Sequence, residues 1–149
     1  MDQVDYVKVM LIKESSIKYE NSRVSHPEDA AQIARDYLGL VDREHFIILI
    51  LNTKNCVTAI TTVSVGSLNA SIVHPREVFK AAILGNASGI IAIHNHPSGD
   101  TTPSTEDYHI TDRLIAAGKL LDIPLLDHVV IDVESDRFTS ILAKGACKF

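Results

Sequence analysis

Cysteine is scarce in this chain of 149 residues: Cys56 and Cys147 stand far apart and form no Cys-x-x-Cys pair. That argues against a thiolate zinc site and against a disulfide framework, so any metal must be held by nitrogen and oxygen. An excess of positive charge is also missing. Against 19 acidic side chains there are 14 basic ones, for a formal net charge of -5 and a pI near 5.7. This is not the electrostatic footprint of a protein that grips phosphate backbones, and nucleic acid is not the expected partner. No apolar run approaches the ~18 residues of a membrane span, and the opening Met1-Asp2-Gln3-Val4-Asp5 is acidic where a secretory signal needs positive residues. A soluble cytoplasmic protein without a membrane partner is the expectation. Repeats, linkers and low-complexity tracts are absent as well, and at 46% hydrophobic content the chain reads as a single domain over residues 1–149.

What is present is an alternation of strand and helix signals. Val4 to Ile12, with its valines, tyrosine and isoleucine, predicts a first strand. His26-Pro27-Glu28-Asp29 places proline at a first helical position with acids behind it. Ala30, Ile33, Ala34, Tyr37 and Leu38 follow at helical spacing, and Gly39 closes the helix. Phe46 to Leu51 and Cys56 to Val65, joined by Asn52-Thr53-Lys54-Asn55, predict a hairpin. A second helix runs from Pro75 through Leu84 to Gly85-Asn86, and a third from about Thr105 to Leu121. Gly89 to Ile93 is short and apolar on both faces, as a central buried strand should be. Strands over Asp127 to Asp132 and around Phe138 to Leu142 complete a mixed α/β layer fold.

The central strand delivers the most informative run in the chain: His94-Asn95-His96-Pro97, six residues, Ser104, two residues, Asp107. Histidines two apart on a strand project from one face, so both imidazoles can reach one ion. The loop carrying Pro97, Gly99 and Pro103 can fold the next helix back over the strand end. Asp107, Ile110, Leu114, Ala117 and Leu121 share three-and-four spacing, which puts the carboxylate on the inward face of that helix. Two imidazoles and one carboxylate, with a fourth position open, suit a single catalytic Zn2+.

Other readings apply to several of these residues. Ser104-x-x-Asp107 is close to a capping box, which stabilises a helix start without chemistry, although a cap and a ligand are compatible. Glu44 shares the even-numbered face with Phe46, Ile48 and Ile50, or it is a solvated member of the Asp42-Arg43-Glu44 cluster. Glu28 and Glu77 sit in first helical turns, where the helix dipole accounts for them. Asp127, ahead of His128 at a strand start, is a candidate acceptor for a ligand histidine's other nitrogen, or a strand-end salt link. His26, His45, His74 and His109 fit no ligand spacing.

The His94-x-His96-Pro97…Ser104-x-x-Asp107 pattern with an upstream glutamate resembles the JAMM (MPN+) metalloprotease motif. More narrowly, the RadC-like family is matched in order by Leu51-Asn52-Thr53-Lys54-Asn55, Val65-Gly66-Ser67-Leu68-Asn69-Ala70, His74-Pro75-Arg76-Glu77-Val78-Phe79, His94-Asn95-His96-Pro97-Ser98-Gly99-Asp100 and Ile123-Pro124-Leu125-Leu126-Asp127-His128. The resemblance covers roughly residues 20 to 145. It implies a three-layer α/β fold in which helices flank a central mixed sheet, similar in architecture to cytidine deaminases. It also implies zinc held by His94, His96 and Asp107, Glu44 as general base, Ser104 as an oxyanion donor, and a peptide or protein substrate. Full-length RadC-like proteins carry an N-terminal helical region resembling a DNA-binding module. This sequence is expected to be a short form without it, so nothing here predicts repair chemistry despite the family's name.

Three other functions compete with a zinc peptide or isopeptide hydrolase. A nucleobase deaminase needs His-x-Glu and Pro-Cys-x-x-Cys, which this sequence lacks. An HNH nuclease disperses its three residues through a ββα unit, unlike the tripeptide here. A metal-binding scaffold, or a DNA-associated accessory protein without turnover, remains open because fold does not fix function. Oligomeric state is not readable.

Overall fold

The computed structural model describes residues 1–66 and 73–149. Ser67-Leu68-Asn69-Ala70, part of the family resemblance, lies outside the described residues. Four helices and five strands follow in the order α1 (Pro27–Leu38), β1 (His45–Leu51), β2 (Val57–Val65), α2 (Pro75–Leu84), β3 (Gly89–Asn95), α3 (Thr105–Leu121), β4 (Leu125–Ile131), β5 (Phe138–Ser140) and α4 (Ile141–Lys144). The strands form one sheet in the order β2-β1-β3-β4-β5, and only β3 and β4 run parallel. Their crossover is α3.

Sheet parity sorts the core into two layers. The odd-numbered residues Ile47, Leu49 and Leu51 of β1, Ile91 and Ile93 of β3, and Val129 and Ile131 of β4 pack under α1 through Ala30, Ala31, Ile33 and Ala34. The even-numbered Phe46, Ile48, Ile50, Ile90, Ala92 and Val130 pack under α2 through Val78, Phe79 and Ala82 and under α3 through Ile110, Leu114 and Ile115. This is the three-layer mixed α/β arrangement that the sequence predicts. α1 starts at a box in which the Asp29 carboxylate accepts the N–H groups of Ser25 and His26 at 2.8 and 2.9 Å. In the hairpin turn the Asn52 side chain accepts from Lys54 and Cys56, each at 3.0 Å. Gly118 lets α3 lie close to the chain entering β4, since a Cβ there would meet the Ile123 carbonyl at 2.5 Å.

Two expected strands differ from the structure. Val4 to Ile12 forms no strand: Val4, Tyr6, Val7, Val9, Met10 and Ile12 are 72–101% exposed. β-branched residues make a strand only where a ladder partner takes up their backbone groups. The chain pairs with the hairpin in an isolated bridge between Arg23 and Cys56, with Val57 N–H on Ser22 O at 3.0 Å and Val24 N–H on Asn55 O at 2.9 Å. The last strand, expected around Phe138 to Leu142, stops at Ser140. There the Ser140 hydroxyl accepts the Ala143 N–H at 3.1 Å and starts α4. Along α3 the buried stripe is Asp107, Ile110, Thr111, Leu114, Ile115 and Gly118; it rotates past Leu121, which is 43% exposed.

Candidate metal centre

β3 carries its apolar run into His94, which is fully buried on the α2–α3 face, its ring stacked on Phe46 at 6.2 Å. His96 follows on the same face one residue past the strand, its N–H still bonded to the Ile131 carbonyl at 3.1 Å. The chain then turns at Gly99, whose φ of +83° favours glycine, and its N–H returns to the His96 carbonyl at 3.0 Å. At the end of this loop Ser104 caps α3: its hydroxyl accepts the Asp107 N–H at 3.1 Å, and the Asp107 carboxylate accepts the Ser104 N–H at 2.8 Å. The capping box therefore exists, and it also aims Asp107. The carboxylate closing the box is the one that faces both imidazoles.

Three ligand-type side chains converge. His94 Nε2 and His96 Nε2 are 3.0 Å apart, Asp107 Oδ1 is 3.2 Å from the first, and Oδ2 is 3.2 Å from the second. A tetrahedral ion with bonds of about 2.0–2.1 Å spaces its ligands roughly 3.3 Å apart, so the donors already stand close to coordination distance. In His96 the other nitrogen, Nδ1, donates to the Asp100 carbonyl at 2.7 Å, which leaves the Nε2 lone pair facing Asp107 in the neutral ring. His94 Nδ1 meets His128 Nε2 at 2.8 Å. Among the described residues this is the one His/Cys/Asp/Glu group placed to hold a metal ion, and neither cysteine belongs to it. A deaminase-type cysteine ligand pair is thus not assembled.

Electrostatics match the geometry. Burial pushes the Asp107 carboxyl up, but the facing imidazoles of His94 and His96 and the Ser104 N–H together hold it well below the usual carboxylate range. His96 is raised, first because its protonated form can donate Nε2–H to Asp107, against its partial burial, with the Asp100 carbonyl and the charges of Asp107 and Glu44 adding to the shift. Burial drives His128 well below the ordinary histidine value, with His94 adding to the effect. With no carboxylate among its hydrogen-bond partners, its burial disfavours the charged ring.

The structure brings Glu44 to this end of the sheet. It is half-buried just ahead of β1, and its charge reaches His96. With Asp42, Arg43, Gly66 and Pro97 it lines a depression of about 360 Å³. A larger cleft of about 810 Å³, between Leu11–Ile17 and β2, contains none of the site residues. Asn95, between the two histidines and fully buried, holds the backbone on both sides of Glu44: its Oδ1 accepts the His45 N–H at 2.8 Å, and its Nδ2 donates to the Arg43 carbonyl at 3.1 Å. Sequence reasoning missed Asn95. The available signal was a polar residue in a strand otherwise apolar up to its histidine.

The sequence leaves open whether Asp127 or His128 backs a ligand histidine, and the structure separates the two. Asp127 lies on the opposite parity from His94 and binds away from the site, accepting the Ser140 hydroxyl at 2.6 Å and the Leu142 N–H at 3.0 Å. Its neighbour His128 makes the contact to His94 instead.

A family profile described as the RadC-like JAB domain matches residues 24–146. The chain belongs to the RadC-like JAB domain family. Among its relatives, a UPF0758 protein of Caldanaerobacter subterraneus subsp. tengcongensis is 51% identical over 134 residues, covering 90% of this chain and 57% of the relative. UPF0758 proteins of Desulforamulus reducens and Geobacillus thermodenitrificans are 52% and 50% identical over 119 residues each, covering 80% of this chain and 52% of theirs. This RadC-like JAB chain thus spans about half the length of the relatives it matches. Among the described residues no helix is long and apolar enough to cross a membrane.

Proposed function

We propose that this RadC-like JAB domain is a zinc-dependent hydrolase that cleaves a peptide or isopeptide bond. The observation that carries the reading is the convergence of His94 Nε2, His96 Nε2 and the Asp107 carboxylate within 3.0–3.2 Å at the end of β3. These three side chains would hold the ion, and the buried, low-pKa carboxylate and the bare imidazole edge of His96 are the donor types zinc takes. Zinc bound there supplies Lewis acidity, bringing the pKa of water to about 7 and polarising a carbonyl.

The chain's own residues then divide the remaining work. Glu44, held from both sides by Asn95, takes the proton of the attacking water and returns it to the leaving amine. Ser104 accepts from the Asp107 N–H, so its own hydrogen is left to donate to the oxygen that gains charge as the carbonyl is attacked. A donor of this kind is worth about 3 kcal/mol in a preorganised site. The depression beside Glu44 and Pro97 gives a substrate carbonyl its approach.

Glu44→Gln tests the reading. Zinc content should be unchanged, while cleavage of a peptide or isopeptide panel falls by about 10²–10⁴. Equal turnover by wild type and Glu44→Gln removes Glu44 as the base. Stoichiometric zinc without turnover on any peptide or isopeptide favours a metal-binding scaffold.

A further inference from the structure

We propose that Thr111 and His128 are positioning residues that lock His94 into the tautomer able to bind a metal, through a buried chain of three hydrogen bonds. The inference rests on the reading above, in which His94 Nε2 is a ligand. Beyond His94 the chain continues from His128 Nδ1 to the Thr111 hydroxyl at 2.6 Å, and from that hydroxyl to the Asp107 backbone carbonyl at 2.7 Å. His94, His128 and Thr111 are each fully buried, so no water competes for these groups.

The direction of the chain follows from its last member. A carbonyl oxygen only accepts, so the single hydrogen of the Thr111 hydroxyl goes to Asp107 O. The hydroxyl oxygen must then accept from His128, which places the His128 hydrogen on Nδ1. A neutral imidazole has one N–H, so His128 Nε2 is an acceptor and the hydrogen between the two rings belongs to His94 Nδ1. His94 Nε2 is left bare, pointing at Asp107 Oδ1 and His96 Nε2.

The opposite arrangement is what Asp107 alone favours, since a carboxylate 3.2 Å from His94 Nε2 attracts an N–H there. That hydrogen would occupy the lone pair a metal needs. The chain from Thr111 opposes it. Metal-bound histidines usually donate their second nitrogen to a carboxylate, carbonyl or water. Here a second histidine takes that place, and because imidazole offers both a donor and an acceptor, it transmits a choice made by a hydroxyl two residues' contacts away. The same turn of α3 supplies both the ligand Asp107 and the hydroxyl, so ligand position and tautomer are set by one element.

Thr111→Val keeps the shape and removes the acceptor. His128 Nδ1 then faces a methyl group, its hydrogen is better used on Nε2 towards His94, and the His94 hydrogen moves to Nε2. Thr111→Ser keeps the hydroxyl and should restore the wild-type state.

Two readouts on the full chain decide the matter. Long-range ¹⁵N–¹H correlation spectra of the metal-free protein should show His94 with hydrogen on Nδ1 in wild type and Thr111→Ser, and on Nε2 in Thr111→Val. Zinc affinity, by competition with a chromophoric chelator, should fall about tenfold or more in Thr111→Val and stay near wild type in Thr111→Ser. Hydrogen on Nε2 of wild-type His94, or a Thr111→Val affinity equal to wild type, overturns the inference. A wild type that binds no zinc sinks the parent reading alone, because the tautomer spectrum still judges the chain of hydrogen bonds. If Thr111→Val does not fold, the wild-type spectrum decides by itself.

Discussion

The two faces of the sheet use the same strands for opposite purposes. Under α1 the middle of the sheet is hydrocarbon, with Ile47, Leu49, Leu51, Ile91, Ile93, Val129 and Ile131 against an alanine-rich helix, and the buried polar residues of that parity, Asn95 and Asp127, stand towards the strand ends. Under α2 and α3 the packing begins in the same way with Ile50, Ile90 and Ala92, then gives way to His94, His128, Thr111 and Asp107. Burying four polar side chains together is tolerable only because each is hydrogen-bonded, and among the described residues no buried side-chain polar atom lacks a partner. The contrast teaches that both faces carry a hydrocarbon core and that the α2–α3 face alone ends in a cluster of imidazole, hydroxyl and carboxylate groups.

Changes to the two faces should therefore separate stability from zinc binding. Leu49→Ala, which opens a cavity under α1 far from the histidines, should cost about 2–5 kcal/mol in urea unfolding and leave zinc affinity unchanged. Loss of zinc affinity in that variant would show that the faces are not independent. Asn95→Ala sits between the cases. It leaves the Arg43 carbonyl and the His45 N–H without their side-chain partner, at about 1–3 kcal/mol in stability. Because Glu44 is no longer held, turnover should fall about tenfold to a hundredfold with zinc affinity kept. A parallel loss of zinc would place Asn95 in ligand support instead.

The smallest effect belongs to the helix cap on the hydrocarbon face. The N–H groups of Ser25 and His26, followed by the charge of His26, hold the Asp29 carboxyl below its ordinary value against slight desolvation. A lowered folded-state pKa means that the stabilisation is present above the unfolded value of about 3.9 and is lost as pH falls through the lowered one. Asp29→Asn should therefore destabilise at pH 7 by less than about 1 kcal/mol, since Asp29 is partly exposed, and the difference should shrink between pH 7 and pH 3. Thermal unfolding at the two pH values measures it. A difference that persists at low pH would mean that the carboxylate charge is not what the cap uses.

Much of this architecture was legible because local signals agree with tertiary ones. Pro27 and Gly39 bracket α1, Asn52–Asn55 bends the hairpin, and the spacing from Ser104 to Asp107 starts α3 where it was expected. The convergence of His94, His96 and Asp107 was legible for the same reason: strand parity and the helix start each place their residues without help from the rest of the fold. What sequence cannot carry is the identity of a partner. Val4 to Ile12 has strand composition but no ladder, and only the sheet decides that. Asp127 and His128 sit in a strand apolar on both faces, so alternation says nothing about which of them looks towards His94. Asn95 reaches Arg43 and His45 through the antiparallel pairing of β1 with β3, and Thr111 reaches His128 through the parallel crossover, relations invisible in any one segment alone.

One experiment bears most directly on the central claim. The chain, purified without chelator, is analysed for metal content and by X-ray absorption, alongside Asp107→Asn. One zinc per chain with nitrogen and oxygen neighbours only is expected, and that zinc should be lost in Asp107→Asn. A wild-type protein with no divalent metal, or a metal with sulfur neighbours, would contradict that claim.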